Sequence, residues 1–183
     1  FKELIDEGLI RHVGLSNENP WGAMKYAELA DRGLGPRMAS VQNPYNLLNR
    51  LYEVGMAEVS IREDMGLLAY SPLAFGVLSG KYRGGAKPAG ARLTLYPYFG
   101  RYTSPRGIEA TERYLALADE LGIAPEVMAL KFVDLQPFVT ATIIGATTEE
   151  QLIRNIEAFD ATLPEGALDG IQAIYKDIPD PSP

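Results

Sequence analysis

Short apolar runs alternate along the chain with stretches whose apolar residues recur every three or four positions. The first kind reads as buried strand and the second as helix with one apolar face. Val13-Gly14-Leu15-Ser16 is the first run. Asn19 suits a helix N-cap and Pro20 the first helical position. Trp21, Met24, Ala27 and Ala30 follow at helical spacing until Gly33 to Pro36 stop the helix. Met38 to Gln42 is the second run, and a helix is expected over roughly 51–65, weakened at its start by Gly55. Leu67-Leu68-Ala69-Tyr70 is the third run. A long Gly/Arg/Tyr-rich connection covers about 74–105, a length that in compact domains usually carries function or is disordered.

Beyond it, Ile108, Thr111, Leu115, Ala118 and Leu121 mark a helix closed by Gly122, and a shorter helix spans Pro125 to Asp134. Val139 to Ile144 is the fourth run, ending at Gly145. Thr148 is expected to cap the next helix, with Gln151 as its reciprocal partner and Leu152, Ile153, Ile156 and Phe159 as its buried stripe. A last amphipathic helix carries Leu168, Ile171, Ile174 and Ile178. Leu4, Ile5 and Gly8 look like the final turns of a helix begun earlier, so the chain is expected to open mid-domain. Pro179-Asp180-Pro181-Ser182-Pro183 reads as a natural tail.

Strand-then-helix repeated in this order is the pattern of a parallel sheet covered by helices, and four such units are half of a (β/α)₈ barrel. Ligands of such sheets sit where the strands end. The residues there are Ser16-Asn17, Gln42-Asn43, Tyr70-Ser71 and Gly145 to Thr148. All hydrogen-bond or stack, and none forms a charged pair, which suits a polar, partly aromatic ligand better than proton transfer.

Composition removes several alternatives. A formal charge of -7 opposes a nucleic-acid surface, and no apolar run reaches the ~20 residues that span a bilayer. The absence of cysteine excludes disulfides and thiolate metal sites and suits a cytoplasmic protein. One histidine cannot build a His-rich metal site, and His12 precedes a strand rather than following one, so no serine gains a triad partner. No G-x-G-x-x-G follows a strand. Gly76 to Tyr82 falls one residue short of P-loop spacing and places Tyr82 where Ser or Thr would hold magnesium. No tyrosine is followed four residues later by lysine.

Gly14-Leu15-Ser16-Asn17-Glu18, Val41-Gln42-Asn43-Pro44-Tyr45-Asn46, Ala69-Tyr70-Ser71-Pro72-Leu73 and Ile144-Gly145-Ala146-Thr147-Thr148 occur in the order of aldo-keto reductase motifs. The chain resembles that family over essentially its whole length. Asn19-Pro20-Trp21-Gly22 and Gly85-Ala86-Lys87-Pro88 narrow the likeness to the bacterial Tas-like branch, near the potassium-channel β-subunit relatives. The resemblance implies the C-terminal half, strands five to eight, of a (β/α)₈ TIM barrel, filled by residues 1–183.

It further implies an NADP(H) site. Ser16, Asn17 and Gln42 are similar to the family's clamp on the nicotinamide carboxamide, and Tyr70 to the residue stacked beneath the ring. Ser71, Pro72, Leu73, Phe75, Gly76, Leu78 and Gly80 resemble the loop along the pyrophosphate, with Lys81 adding positive charge and Arg92 helping to close the loop. Gly145, Thr147 and Thr148 match the helix start that receives the 2′-phosphate, and Gln151 and Asn155 the adenine contacts. Arg154 departs from the pattern, standing where a Glu commonly binds the adenine amine, and Glu149 and Glu150 lie near the phosphate position.

The family's catalytic Asp, Tyr, Lys and His belong to strands two to four, so no catalytic residue is assigned to this chain. The resemblance implies a parent enzyme that reduces small aldehydes or ketones. A non-catalytic NADP(H)-binding module or regulatory subunit, as the channel relatives suggest, is the alternative. Half a barrel leaves open sheet edges and an apolar face, so the segment is expected to pair with itself or to need its N-terminal half.

Overall fold

The apolar runs form four strands in a computed structural model that describes residues 1–183. They are β1 Val13–Ser16, β2 Met38–Pro44, β3 Gly66–Tyr70 and β4 Val139–Ile143. All pair in parallel in the order β1-β2-β3-β4, so β1 and β4 are open edges. The helices are α1 Lys2–Asp6, α2 Pro20–Asp31, α3 Met56–Glu63, α4 Arg92–Leu95, α5 Pro105–Leu121, α6 Pro125–Asp134, α7 Glu149–Asp160 and α8 Ala167–Asp177. This parallel α/β arrangement is consistent with part of a (β/α)₈ barrel.

The caps explain several boundaries. Asn19 accepts from the Gly22 N–H at the start of α2, Ser104 accepts from the Gly107 N–H at the start of α5, and Gly122 ends α5 with a left-handed φ of 66°. Gly55 does more than weaken the expected 51–65 helix. It splits it into a 3-10 turn, Leu51–Val54, and α3. The long connection is a strap of short 3-10 turns around α4, entered through the 3-10 segment Ala74–Ser79.

The stripe expected to be buried in α7 lies elsewhere, and of the α2 residues at helical spacing only Ala27 is buried. In α2, Trp21 is 73% exposed, and the buried face is Gly22, Ala23 and Ala27, whose small side chains let the helix backbone come close to its neighbours. In α7, Leu152, Ile153 and Ile156 are exposed, while Asn155 and Ala158 are buried. The cause is the sheet edge: no strand lies beyond β4 for that stripe to cover. Leu168 is likewise exposed on α8, whereas Ile171, Ile174 and Ile178 are buried as expected.

The core centres on aromatic residues around Tyr45, which stacks on Phe132 at 5.8 Å between ring centroids and meets Phe138 edge-on at 5.3 Å. Beside it lies Arg50, 7% exposed, whose guanidinium donates to both carboxylate oxygens of Glu53 at 2.7 and 2.9 Å and to Gln172 at 3.1 Å. It also covers the Tyr175 ring at 3.9 Å. The C-terminal residues are docked rather than trailing. Asp180 accepts from the Arg50 N–H and the Tyr175 hydroxyl, and the Ser182 N–H donates to the Leu48 carbonyl.

On the sheet face away from the helices, one row crosses all four strands. Register pairs Gly14 with Ser40 and Ser40 with Gly66, and the Thr140 side chain covers Gly66. A Cβ at Gly14 would stand 2.7 Å from Ser40 Oγ, and one at Gly66 would collide with the Thr140 hydroxyl. Alternate strands thus supply the side chains of this layer, as in the interior of a (β/α)₈ barrel. Gly66→Ala should cost about 2 kcal/mol through overpacking, and adding Thr140→Ala should recover most of it, both read from urea unfolding. Equal costs with and without the second substitution would refute this packing.

Candidate functional site

Strand register brings the first three strand ends together. Ser16 pairs with Gln42, and Pro44 with Tyr70. Immediately past β1, Asn17 takes a left-handed φ of 53°, which asparagine tolerates better than most residues. Its N–H donates to the Gln42 carbonyl at 3.0 Å, its Nδ2 donates to Ser16 Oγ at 3.3 Å, and its Oδ1 accepts from the Tyr70 hydroxyl at 2.7 Å. Ser16, Asn17, Gln42 and Tyr70 are therefore stitched into one cluster across three strands. Tyr70 is held by its hydroxyl edge, which leaves a ring face available for stacking.

Two asparagines hold this cluster from behind. Asn43 closes a reciprocal pair with Glu18, accepting from its N–H at 3.0 Å and donating to its carbonyl at 2.8 Å. Fully buried Asn46 donates to the Ser71 carbonyl at 3.0 Å and the Tyr102 hydroxyl at 3.2 Å, and accepts from the Leu48 N–H. It joins the turn after β3 to the far end of the strap. The sequence offered Asn46 only as part of a motif, and its contact with Tyr102 lies 56 residues away.

The turn after β3 has unusual backbone. Ser71, Ala74, Phe75, Gly76 and Gly80 all have positive φ, from 48° to 93°. Pro72 and Leu78 are buried and Leu73 packs against the core, so these three act by holding the turn rather than by presenting side chains. Phe75 meets Tyr102 edge-on at 4.9 Å. Gly80 stands beside Leu115 and Pro125 of the core helices. Gly76 is required for another reason: a Cβ there would lie 2.7 Å from Lys81 Nζ.

Lys81 thus lies along the glycine surface of the turn, and Arg92 covers the Phe75 ring at 5.2 Å. Neither cation has a carboxylate partner among the chain's ion pairs, whereas nearby Arg83 bridges Glu112 and Asp119. Burial, and then repulsion from Arg92, hold the Lys81 amine below its usual pKa. Two neighbouring like charges over a glycine turn fit an anion.

Past β4, whose Ile143 pairs with Tyr70, the chain leaves the same end of the sheet. Thr148 caps α7 by accepting from the Gln151 N–H at 3.2 Å. The expected reciprocal bond falls one residue earlier: Gln151 Oε1 accepts from the Thr147 N–H and hydroxyl at 3.0 and 3.1 Å, because Thr147 folds over the first turn. Asn155 is buried and donates to the Gly145 carbonyl at 3.3 Å, so it shapes this turn from below. Gly145, Thr147 and Thr148 are exposed at the start of the helix.

Burial pushes the hydroxyls of Tyr45, Tyr52, Tyr102 and Tyr114 upward in pKa, and Tyr175, through burial and Asp180, up to about 12. These shifts run against proton donation near neutral pH.

Residues 1–176 match the model of the aldo/keto reductase family. The chain belongs to that family. It is 49% identical over 176 residues to Protein tas of Escherichia coli, covering 96% of this chain and 51% of that protein. A probable voltage-gated potassium channel subunit beta of rice (Oryza sativa) is 31% identical over 187 residues, covering 96% and 56%. L-glyceraldehyde 3-phosphate reductase of Escherichia coli is 32% identical over 162 residues, covering 85% and 46%. This aldo/keto reductase chain spans about half the length of the curated relatives it matches.

If Lys81 and Arg92 sense each other, Lys81 titrates below 10.5 and moves upward toward it in Arg92→Leu. Carbon-13 NMR of the lysine Cε reads this directly. Because the folded pKa is the lower one, Lys81 makes stability rise with pH across the interval between the two values. A Lys81 titration unmoved by the substitution would rule out the pairing.

Proposed function

We propose that the chain is the C-terminal half, strands five to eight, of an NADP(H)-dependent aldo/keto reductase barrel, and that it supplies the cofactor-binding side of carbonyl reduction. The observation that carries this is the placement of the Ser16–Asn17–Gln42–Tyr70 cluster and the unpaired Lys81–Arg92 pair along one strand end and its following turn. The residues present fit the cofactor. A carboxamide needs both donors and acceptors, which Ser16, Asn17 and Gln42 offer. Tyr70 gives the ring a stacking face, and the Gly76 surface with Lys81 and Arg92 suits a pyrophosphate.

Thr147 and Thr148, at the exposed start of α7, would receive the 2′-phosphate, with Gly145 allowing close approach. Gln151 and Asn155 hold that turn in shape and stand toward the adenine side. Glu149 and Glu150 oppose a phosphate there, and Arg154 offsets part of their charge. When bound, the nicotinamide supplies hydride to an aldehyde or ketone. This chain's residues bind and orient it, and proton delivery falls to residues of the other half-barrel. The segment alone is a binder without turnover. The absence of cysteine suits a cytoplasmic setting, and no helix is long and apolar enough to cross a membrane.

Fluorescence titration with NADPH and NADH tests the reading. Saturable NADPH binding is expected, weakened about tenfold or more by Lys81→Met and similarly by Tyr70→Ala. Failure to bind either nucleotide would sink the cofactor assignment. The channel relatives favour a second reading, a cofactor-binding regulatory subunit without turnover. Carbonyl-dependent NADPH oxidation by an eight-stranded parent separates the two.

The open edges and the exposed Leu152, Ile153 and Ile156 call for a cover, either the other half-barrel or a second copy. Sedimentation of the 183-residue chain should show association rather than a stable monomer. A compact, cooperatively unfolding monomer would contradict it.

A further inference from the structure

Between the strap and α5 lies a cavity of about 420 Å³ that shares no residue with the strand-end cluster or the start of α7. Its walls are mostly apolar: Tyr82, Leu93, Phe99 and Tyr102 from the strap side, and Ile108 from α5. Thr111 also faces it, but its hydroxyl is turned onto the Gly107 carbonyl at 2.7 Å, so it adds a methyl surface. The roof is fixed by the Leu93 N–H, which donates to the Tyr82 hydroxyl at 3.1 Å. Size and lining are those of a small-molecule site.

The apolar lining and its charges specify the occupant. Thr94 lines the cavity too, but its hydroxyl is shielded from it, so it adds only carbon surface. The charges on the lining are unequal in status. Arg83 pairs with Glu112 at 3.4 Å and with Asp119 at 2.6 Å, whereas Lys87 is exposed and enters no ion pair. The lining therefore presents an apolar body site and one net positive charge.

We propose that this cavity binds a small aromatic or alicyclic monocarboxylate, its ring against Tyr82, Leu93, Phe99 and Ile108, and its carboxylate toward Lys87. This binding does not depend on the cofactor assignment, since no proposed cofactor contact lines the cavity.

The test is nitrogen-15 NMR of the full chain titrated with 2-naphthoate. Saturable shifts are expected at the amides of Gly84, Gly85, Leu93 and Thr94. Lys87→Met should weaken binding roughly fivefold. Ile108→Trp, at a position 51% exposed, should block it while leaving the core intact. The uncharged analogue 2-naphthalenemethanol should bind about as weakly as naphthoate does to Lys87→Met, and NADPH should leave the naphthoate shifts in place. Shifts confined to the α7 stripe or the strand ends would overturn the proposal. So would an affinity indifferent to both substitutions, or no saturation.

Discussion

Removing a guanidinium from water is costly, and the Arg50 site is organised around offsetting that cost. Burial opposes its charge, but the Glu53 carboxylate more than compensates and holds it above its usual pKa. Glu53 also accepts from the Tyr45 hydroxyl, the Tyr175 ring lies under the guanidinium, and Asp180 accepts from the Arg50 backbone. These contacts join the segment after β2, α6 through Phe132, α8 and the C-terminal residues. A buried ion pair adds little net stability over apolar packing. Its use here is geometric: it fixes where the loop after β2 sits, and with it Asn46, four residues before Arg50, which holds the Ser71 turn.

From that fixed point the strand ends and the strap divide the work by chemistry. Neutral, directional groups stand at the ends of β1 to β3, where register controls position most tightly. The cations stand on the strap, whose short turns follow irregular backbone. Tyr102 serves both sides, hydrogen-bonded to Asn46 and packed on Phe75. The strap is therefore continuous with the strand ends rather than draped over them.

The strands, the α2 and α7 caps, the end of α5 and the weak point at Gly55 were legible in the sequence because each rests on local chemistry: apolar runs, Asn19, Thr148 and Gly122. The buried face of α2, Ala27 apart, and the buried stripe of α7 were not. Periodicity says which residues share a face, but burial depends on what lies opposite. Small Ala23 and Ala27 took the close contact in α2, and the edge position of β4 left Ile153 and Ile156 uncovered. Docking of Pro181 and Ser182 was also hidden, since a proline-rich end carries no pattern pointing to Leu48. Arg50 gave no signal either. An arginine in a polar stretch reads as surface until its partners, 122 and 130 residues away, are placed beside it.

The row of Gly14, Ser40, Gly66 and Thr140 carries a rule of parity. Each bare glycine sits beside a strand that fills the space above it, so a ring continuing the alternation closes only with an even number of strands. The two open edges are also not interchangeable. Next to β4 a neighbour meets the Thr140 side chain standing in the layer, whereas next to β1 it meets bare Gly14, whose space Ser40 already fills from the other side. The sheet thereby constrains the phase of any strands that complete it, because a neighbour shifted by one residue turns its other set of side chains to this face.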